Sequence, residues 1–259
     1  MQTASHAMVI IDPQNDFCDA GGSLYVGGAE ADIERLASYL KRSGERYGDI
    51  FVSLDSHDPI AIFHPKFWVG ADGESPAPFT QVTGKDVTGG RWRAASGTNA
   101  LLAERAFAAL SSRGIDSLTI WPEHCIVSAW GHEIASPLKD ALGCWRSRGR
   151  AVRYVFKGEN PFTEQFSIFE GLDDRWPECA FNETLFLRLA YRESVTFAGE
   201  ALSHCVAASL ESYMSRLRRA EKDQDVYLLA DCSSPVSGFS RDECLGKIAS
   251  LGVKIITCE

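Results

Sequence analysis

The 259-residue chain has no run of 18 apolar residues, so no membrane-spanning helix is expected. It also has no basic cluster. The net charge of −9 argues against a nucleic-acid surface. Lys41 and Arg42, like Arg216, Arg218 and Arg219, read as the solvated ends of helices. Eight cysteines are present, but none forms a Cys-x-x-Cys pair and their spacing is irregular. They read as free thiols, not as a disulfide framework. The opening stretch MQTASHAMVIID lacks a basic region and a long apolar segment, so it does not read as a signal peptide. With free thiols, this points to a reducing cytoplasm. No internal repeat and no linker divides the chain. Residues 1–259 are expected to form one domain, with a long loop and helix insertion at about 65–115.

The patterning that is present alternates between two periods. Short apolar runs at 7–11, 50–54, 117–120, 151–156, 195–198, 225–230 and 253–257 read as strands. Helical spacing recurs at 29–42, 98–113, 137–148, 183–191, 206–217 and 240–251, and Ser240 is placed to cap the last of these. Strands alternating with helices predict an α/β fold. It is a three-layer α/β/α sandwich around a central, mostly parallel, six-stranded sheet of Rossmann-like type. Residues 57–97 hold four prolines and show no period, and so read as a functional or partly disordered loop.

In such a sheet, ligands lie beyond the carboxyl ends of the strands. Asp12, Asp55, Lys157 and Cys205 all fall at such ends, and His124 lies just past the run at 117–120. Each has an ordinary structural reading: Cys205 as an inert buried thiol, Asp12 as a turn or cap residue, Lys157 as a solvated charge. Their shared edge favours chemistry. At the start of a helix, Cys205 would meet free backbone N–H groups and the positive end of the dipole, which favour the thiolate. A carboxylate beside it can accept the thiol proton, and an ammonium can stabilise both anions.

Asp55 and His57 are two residues apart on an extended segment and point the same way. With His64 and His124 they could hold one divalent metal, zinc first, with iron or manganese as alternatives. Alternatively, His57 and His64 are loop histidines without a ligand. His6 and His204 read as structural and His132 as a surface residue.

Four stretches together resemble the isochorismatase-like cysteine hydrolases and, within them, the nicotinamidases. They are VIIDPQNDFCDAGGSL at 9–24, LDSH at 54–57, WPEHCIVSAWGHE at 121–133 with VFKG at 155–158, and GEALSHCVAAS at 199–209. The resemblance implies that Cys205 is the nucleophile, Asp12 the general base and Lys157 the third member of a triad. It implies a cis peptide between Glu200 and Ala201, and an oxyanion hole from the N–H groups of Ala201 and Cys205. It implies Asp55, His57 and His124 as metal ligands, with His64 the candidate for a variable fourth position, and Phe17 and Trp121 as ring-pocket walls. Many relatives outside the nicotinamidases lack the Asp-x-His and distant His set.

Three departures stand out. Ser56 occupies a position where relatives often carry an aromatic, the insertion is long, and the stretch after Lys157 is dissimilar. The resemblance implies hydrolysis of nicotinamide to nicotinate and ammonia through a cysteine thioester. The alternative is another small carboxamide as substrate. Competing readings are a catalytically idle binding module and a structural zinc protein. A homo-oligomer would be compatible with all of these.

Overall fold

The computed structural model describes residues 5–258. Among the described residues ten strands occur in chain order: β1 (His6–Ile11), β2 (Tyr47–Asp55), β3 (Trp68–Gly70), β4 (Gln81–Thr83), β5 (Trp92–Ala94), β6 (Ser117–Thr119), β7 (Val152–Lys157), β8 (Ser194–Gly199), β9 (Asp225–Leu229) and β10 (Lys254–Ile256). Six of them form one sheet in the order β10-β9-β8-β1-β2-β7. Every pairing in it is parallel.

The central strand shows why the sheet is covered on both faces. Met8 and Ile10 enter the core on one side, with Leu36 and Leu40 of the helix Ala29–Ser43 and Leu138 and Leu142 of the helix Ser136–Arg146. Ala7, Val9 and Ile11 enter the core on the other side. There they meet Leu185 and Leu189 of the helix Glu183–Ala190 and Leu210 and Tyr213 of the helix Ala207–Arg219. Alternate residues thus face opposite layers, and a strand buried on both faces reads as a continuous apolar run.

The helices lie within two residues of the expected bounds. The sheet, expected to be mostly parallel, is wholly so. One strand is reassigned. Residues 117–119 do not join the main sheet but pair antiparallel with β4. The expected aperiodic stretch 57–97 holds β3, β4, β5 and a short helix, Gly84–Thr88, started by a reciprocal Thr83–Asp86 capping box. Three-residue strands are too short to show a period. Residues between 61 and 121 share a separate core, in which Phe63, Trp68, Val82, Ala106, Leu110 and Trp121 pack together. No helix among the described residues is long and apolar enough to cross a membrane.

Strand order reverses at β1. The chain runs outward through β2 to β7, then returns to β8 on the other flank of β1. Ligand sites in open α/β sheets form at this kind of crevice.

Candidate active site

Asp12 follows β1, Asp55 ends β2, Lys157 ends β7, and Cys205 lies six residues past β8. The fold brings all four together, and all are buried. Lys157 Nζ stands 2.9 Å from Asp12 Oδ2, 2.8 Å from Asp55 Oδ1 and 3.4 Å from the Cys205 sulfur. A carboxylate oxygen of Asp12, one of Asp55 and the Cys205 sulfur lie within 4.8 Å of one another. Asp12 adopts a left-handed φ of 41°, and Ser53 on the neighbouring strand holds it there. The Asp12 N–H donates to Ser53 Oγ at 3.0 Å, and that hydroxyl donates to Asp12 Oδ1 at 2.6 Å.

The two carboxyl groups are pushed in opposite directions. Burial raises Asp12, and the neighbouring Asp55 charge adds to the effect, while Lys157 only partly opposes it. Burial also works against Asp55, but His57 and Lys157 outweigh it and hold this carboxyl well below the usual range. Such divergence separates a group that can take up a proton from one that stays anionic. Burial disfavours the Lys157 charge, yet Asp12, Asp55 and Cys205 together keep the ammonium well above the ordinary lysine range.

The Cys205 thiol departs from expectation. Burial pushes it well up, and the Asp12 and Asp55 charges add to this, so the thiol rests protonated. Desolvation and two nearby anions exceed what Lys157 and the start of the helix contribute. A base is therefore required. The helical run also begins earlier than expected. A wide turn, Leu202–Val206, carries Cys205 into the helix Ala207–Arg219. The Glu200–Ala201 peptide is cis, and the Ala201 N–H donates to no protein acceptor among the described residues.

Asp55, His57 and His124 form a compact set of donors within 4.8 Å of one another. His57 Nε2 is 3.0 Å and His124 Nε2 3.8 Å from Asp55 Oδ2. Each ring is held by its other nitrogen, His57 Nδ1 to the Gly158 carbonyl at 3.0 Å and His124 Nδ1 to the Pro122 carbonyl at 2.8 Å. Against burial, Asp55 raises the His57 imidazole, so a cation would displace its Nε2 proton. With Nδ1 donating, both Nε2 atoms then face the carboxylate, as in metal-bound imidazoles. Two neutral imidazoles and a carboxylate fit a divalent cation.

His124 does not arrive by a sheet strand. Its segment is zipped alongside His57, whose N–H donates to Cys125 O at 3.0 Å and whose carbonyl accepts from Val127 at 3.1 Å. Gly158, with φ +72°, leaves room for the set, since a Cβ there would stand 2.4 Å from His57 Cε1. His64 lies at the margin. Its Nε2 is 3.4 Å from His124 Nδ1, and its own Nδ1 approaches the Asp58 carbonyl at 3.2 Å. It falls outside the compact set. Burial, with the neighbouring imidazoles, pushes it down to about 3, so it is neutral.

A narrow cavity joins these groups. Its lining includes Phe17, Trp121, Phe166 and His204, together with Asp55, His124, Ala201 and Cys205. Phe17 and Trp121 both line it. A larger cleft of about 670 Å³ lies on the insertion between Thr83 and Asp116, but its lining holds no thiol or histidine.

No family model matches the chain. In sequence it is 23% identical to the nicotinamidase of Saccharomyces cerevisiae over 236 residues, covering 89% of this chain and 88% of that one. Among solved structures, yeast nicotinamidase bound to the inhibitor nicotinaldehyde superposes with a TM-score of 0.68 at 19% identity, covering 97% of this chain and 99% of that one. The Acinetobacter baumanii nicotinamidase/pyrazinamidase superposes at 0.66 with 18% identity, covering 100% and 98%. The pyrazinamidase of Pyrococcus horikoshii in complex with zinc superposes at 0.57 with 20% identity, covering 98% and 99%. The chain shares the fold of these nicotinamidases.

On this nicotinamidase fold, several site residues escaped the sequence reading. Glu164, seven residues past Lys157, lines the cavity and accepts from Trp121 Nε1 at 3.2 Å. Burial raises its carboxyl to about 7. Phe166 is a further wall from the same aperiodic loop. His204, read as structural, is a cavity wall packed edge-on to Trp121 and Phe239. Burial lowers it to about 4, so the ring is neutral. Ser56 does not line the cavity. Its hydroxyl donates to the Leu54 carbonyl and contacts His132 Nε2 at 2.9 Å, so His132 is half-buried and not a surface residue. Ser53, which meets Asp12 just past the last β1–β2 pair, Ile10 with Val52, was likewise not singled out.

Proposed function

We propose that the protein hydrolyses nicotinamide to nicotinate and ammonia. One observation carries this reading: the Lys157 ammonium lies between Asp12 and the Cys205 thiol, beside an aromatic-walled cavity lined also by Asp55 and His124, with His57 in the same donor set. The named relatives are nicotinamidases and pyrazinamidases.

The thiol rests protonated, so Asp12, the carboxylate with the raised proton affinity, takes its proton as the sulfur attacks the amide carbon. Lys157 stays charged and offsets the two anions. The oxyanion that develops is met by the N–H groups of Ala201 and Cys205, at on the order of 3 kcal/mol per donor. Asp12 returns the proton to the departing ammonia. It then deprotonates a water, which attacks the thioester carbonyl. Nicotinate leaves, and Cys205 recovers its proton. Phe17, Trp121 and Phe166 pack on the ring and hold the amide over the sulfur.

Asp55, His57 and His124 would hold a divalent metal, zinc or alternatively iron or manganese, with His64 as a secondary contributor. Such a metal supplies an electrophilic anchor for a ring nitrogen and so orients the substrate. The Pyrococcus horikoshii relative is a zinc complex.

Ammonia release from nicotinamide by the purified protein, with and without chelation, tests the reading. Release that falls on chelation and vanishes in Cys205→Ala is expected. Release only from a different small carboxamide would keep the chemistry and change the substrate.

A further inference from the structure

A second group of metal-type donors lies away from the catalytic residues. Just past β9, Asp231 and Cys232 meet Cys258, two residues beyond β10. A carboxylate oxygen of Asp231 and the two sulfurs all lie within 4.8 Å of one another. The Cys258 thiol is 2.9 Å from Asp231 Oδ2, and the Cys232 sulfur is 3.8 Å from Oδ1. The carboxylate is fixed in place, because the Cys258 N–H donates to Oδ1 at 3.0 Å and to Oδ2 at 3.2 Å. Both sulfurs are buried and Asp231 is half-buried.

We propose that Asp231, Cys232 and Cys258 form a binding site for a thiophilic divalent cation of the zinc class. Two thiolates and a carboxylate are all zinc ligands, and three protein donors leave a position for water. Binding exchanges the two S–H protons, released to solvent, for one cation, so both sulfur ligands become thiolates without redox change. The three anionic donors and a divalent cation sum to one negative charge. Two guanidinium groups lie nearby, of which Arg35 is already paired with Asp32. Arg35 Nε donates to the Asp231 carbonyl at 2.6 Å, and Arg42 Nη2 to the Cys258 carbonyl at 3.1 Å.

The alternative use of two neighbouring thiols is a disulfide, which would take up the two sulfurs alone. A cation engages the Asp231 carboxylate as well, which stands within 4.8 Å of both.

The site would staple the exit of β9 to the segment after β10. That exit leads straight to Ser234, whose N–H donates to Glu200 Oε2 at 3.0 Å and whose carbonyl accepts from Leu202 at 2.8 Å. The staple therefore lies next in sequence to the residues that brace Glu200–Ala201.

Cobalt substitution reads the site directly, because only sulfur ligands give a thiolate-to-cobalt charge-transfer band in the near ultraviolet. His57→Ala disables the Asp55 set, so cobalt titrated into that variant should still give the band at one ion per chain. The band should persist in Cys205→Ala and disappear in Cys232→Ser and in Cys258→Ser. If the serine variants fold poorly, Asp231→Asn keeps both thiols and should weaken cobalt binding by more than the roughly 10–100-fold of an outer contact. The absence of a sulfur band in the wild-type protein would overturn the proposal. So would a band that follows Cys205 and not Cys232. An intact mass two hydrogens light, with no metal bound, would replace the cation site with an oxidised thiol pair. None of these readouts uses amide hydrolysis.

Discussion

Lys157 and Asp55 form a buried ion pair of 2.8 Å, and through it one ammonium touches both the proton-transfer residues and the metal-type donors. The two halves of the site are therefore electrostatically one unit.

Lys157→Met should abolish turnover and also destabilise the fold. Removing one partner leaves Asp12 and Asp55 buried without their cation, at a cost of about 3–5 kcal/mol. Urea unfolding at neutral pH checks this. A midpoint equal to that of the wild-type protein would contradict the shared ion pair.

The protonated resting state of Cys205 makes a labelling prediction. At neutral pH, iodoacetamide should modify the exposed Cys144 before Cys205, as read by peptide mass mapping. Preferential labelling of Cys205 would mean that it rests as a thiolate. Asp12→Asn, which removes the base, should lower kcat by roughly 10²–10⁴-fold.

Among the imidazoles the geometry predicts an order. His57→Ala and His124→Ala should lose stoichiometric metal, whereas His64→Ala should cost no more than roughly 10–100-fold in affinity, the scale of an outer contact. Equal losses by elemental analysis would place His64 inside the set.

Glu164 should imprint a pH dependence on stability. Its carboxyl is raised from 4.5 to about 7 in the folded protein, so between these values the folded chain binds the proton and the unfolded chain does not. Its contribution is full below pH 4.5 and is lost as pH rises through 7, a change of at most about 3 kcal/mol. Glu164→Gln should remove that part of the slope in denaturation series. Identical slopes for the two proteins would refute the shift.

What the sequence could reveal depended on how each residue is tied into the fold. Asp12, Asp55, Lys157 and Cys205 were legible because each follows an apolar strand in a fold whose topology gathers strand ends. His124 was found for an incomplete reason. A backbone zipper with His57, not a sheet strand, carries it in. Glu164 and Phe166 were invisible because their loop has no period, and its path is set by side-chain bonds such as Trp121 to Glu164. The protonation of Cys205 was misread because a linear sequence shows the helix start but not the burial or the two anions around the sulfur.

The insertion has a further consequence. Thr83 and Ser117 face each other across the β4–β6 ladder, so the chain between them departs and returns at one place. The segment is tied elsewhere as well: β5 within it pairs with β3, and Arg105 binds Asp173 at 2.9 Å. A change in its length would pull on β3 and on the loop around Asp173. Trp121, rooted in the separate core of residues 61–121 and facing the cavity, is where such a change would be felt as altered substrate choice.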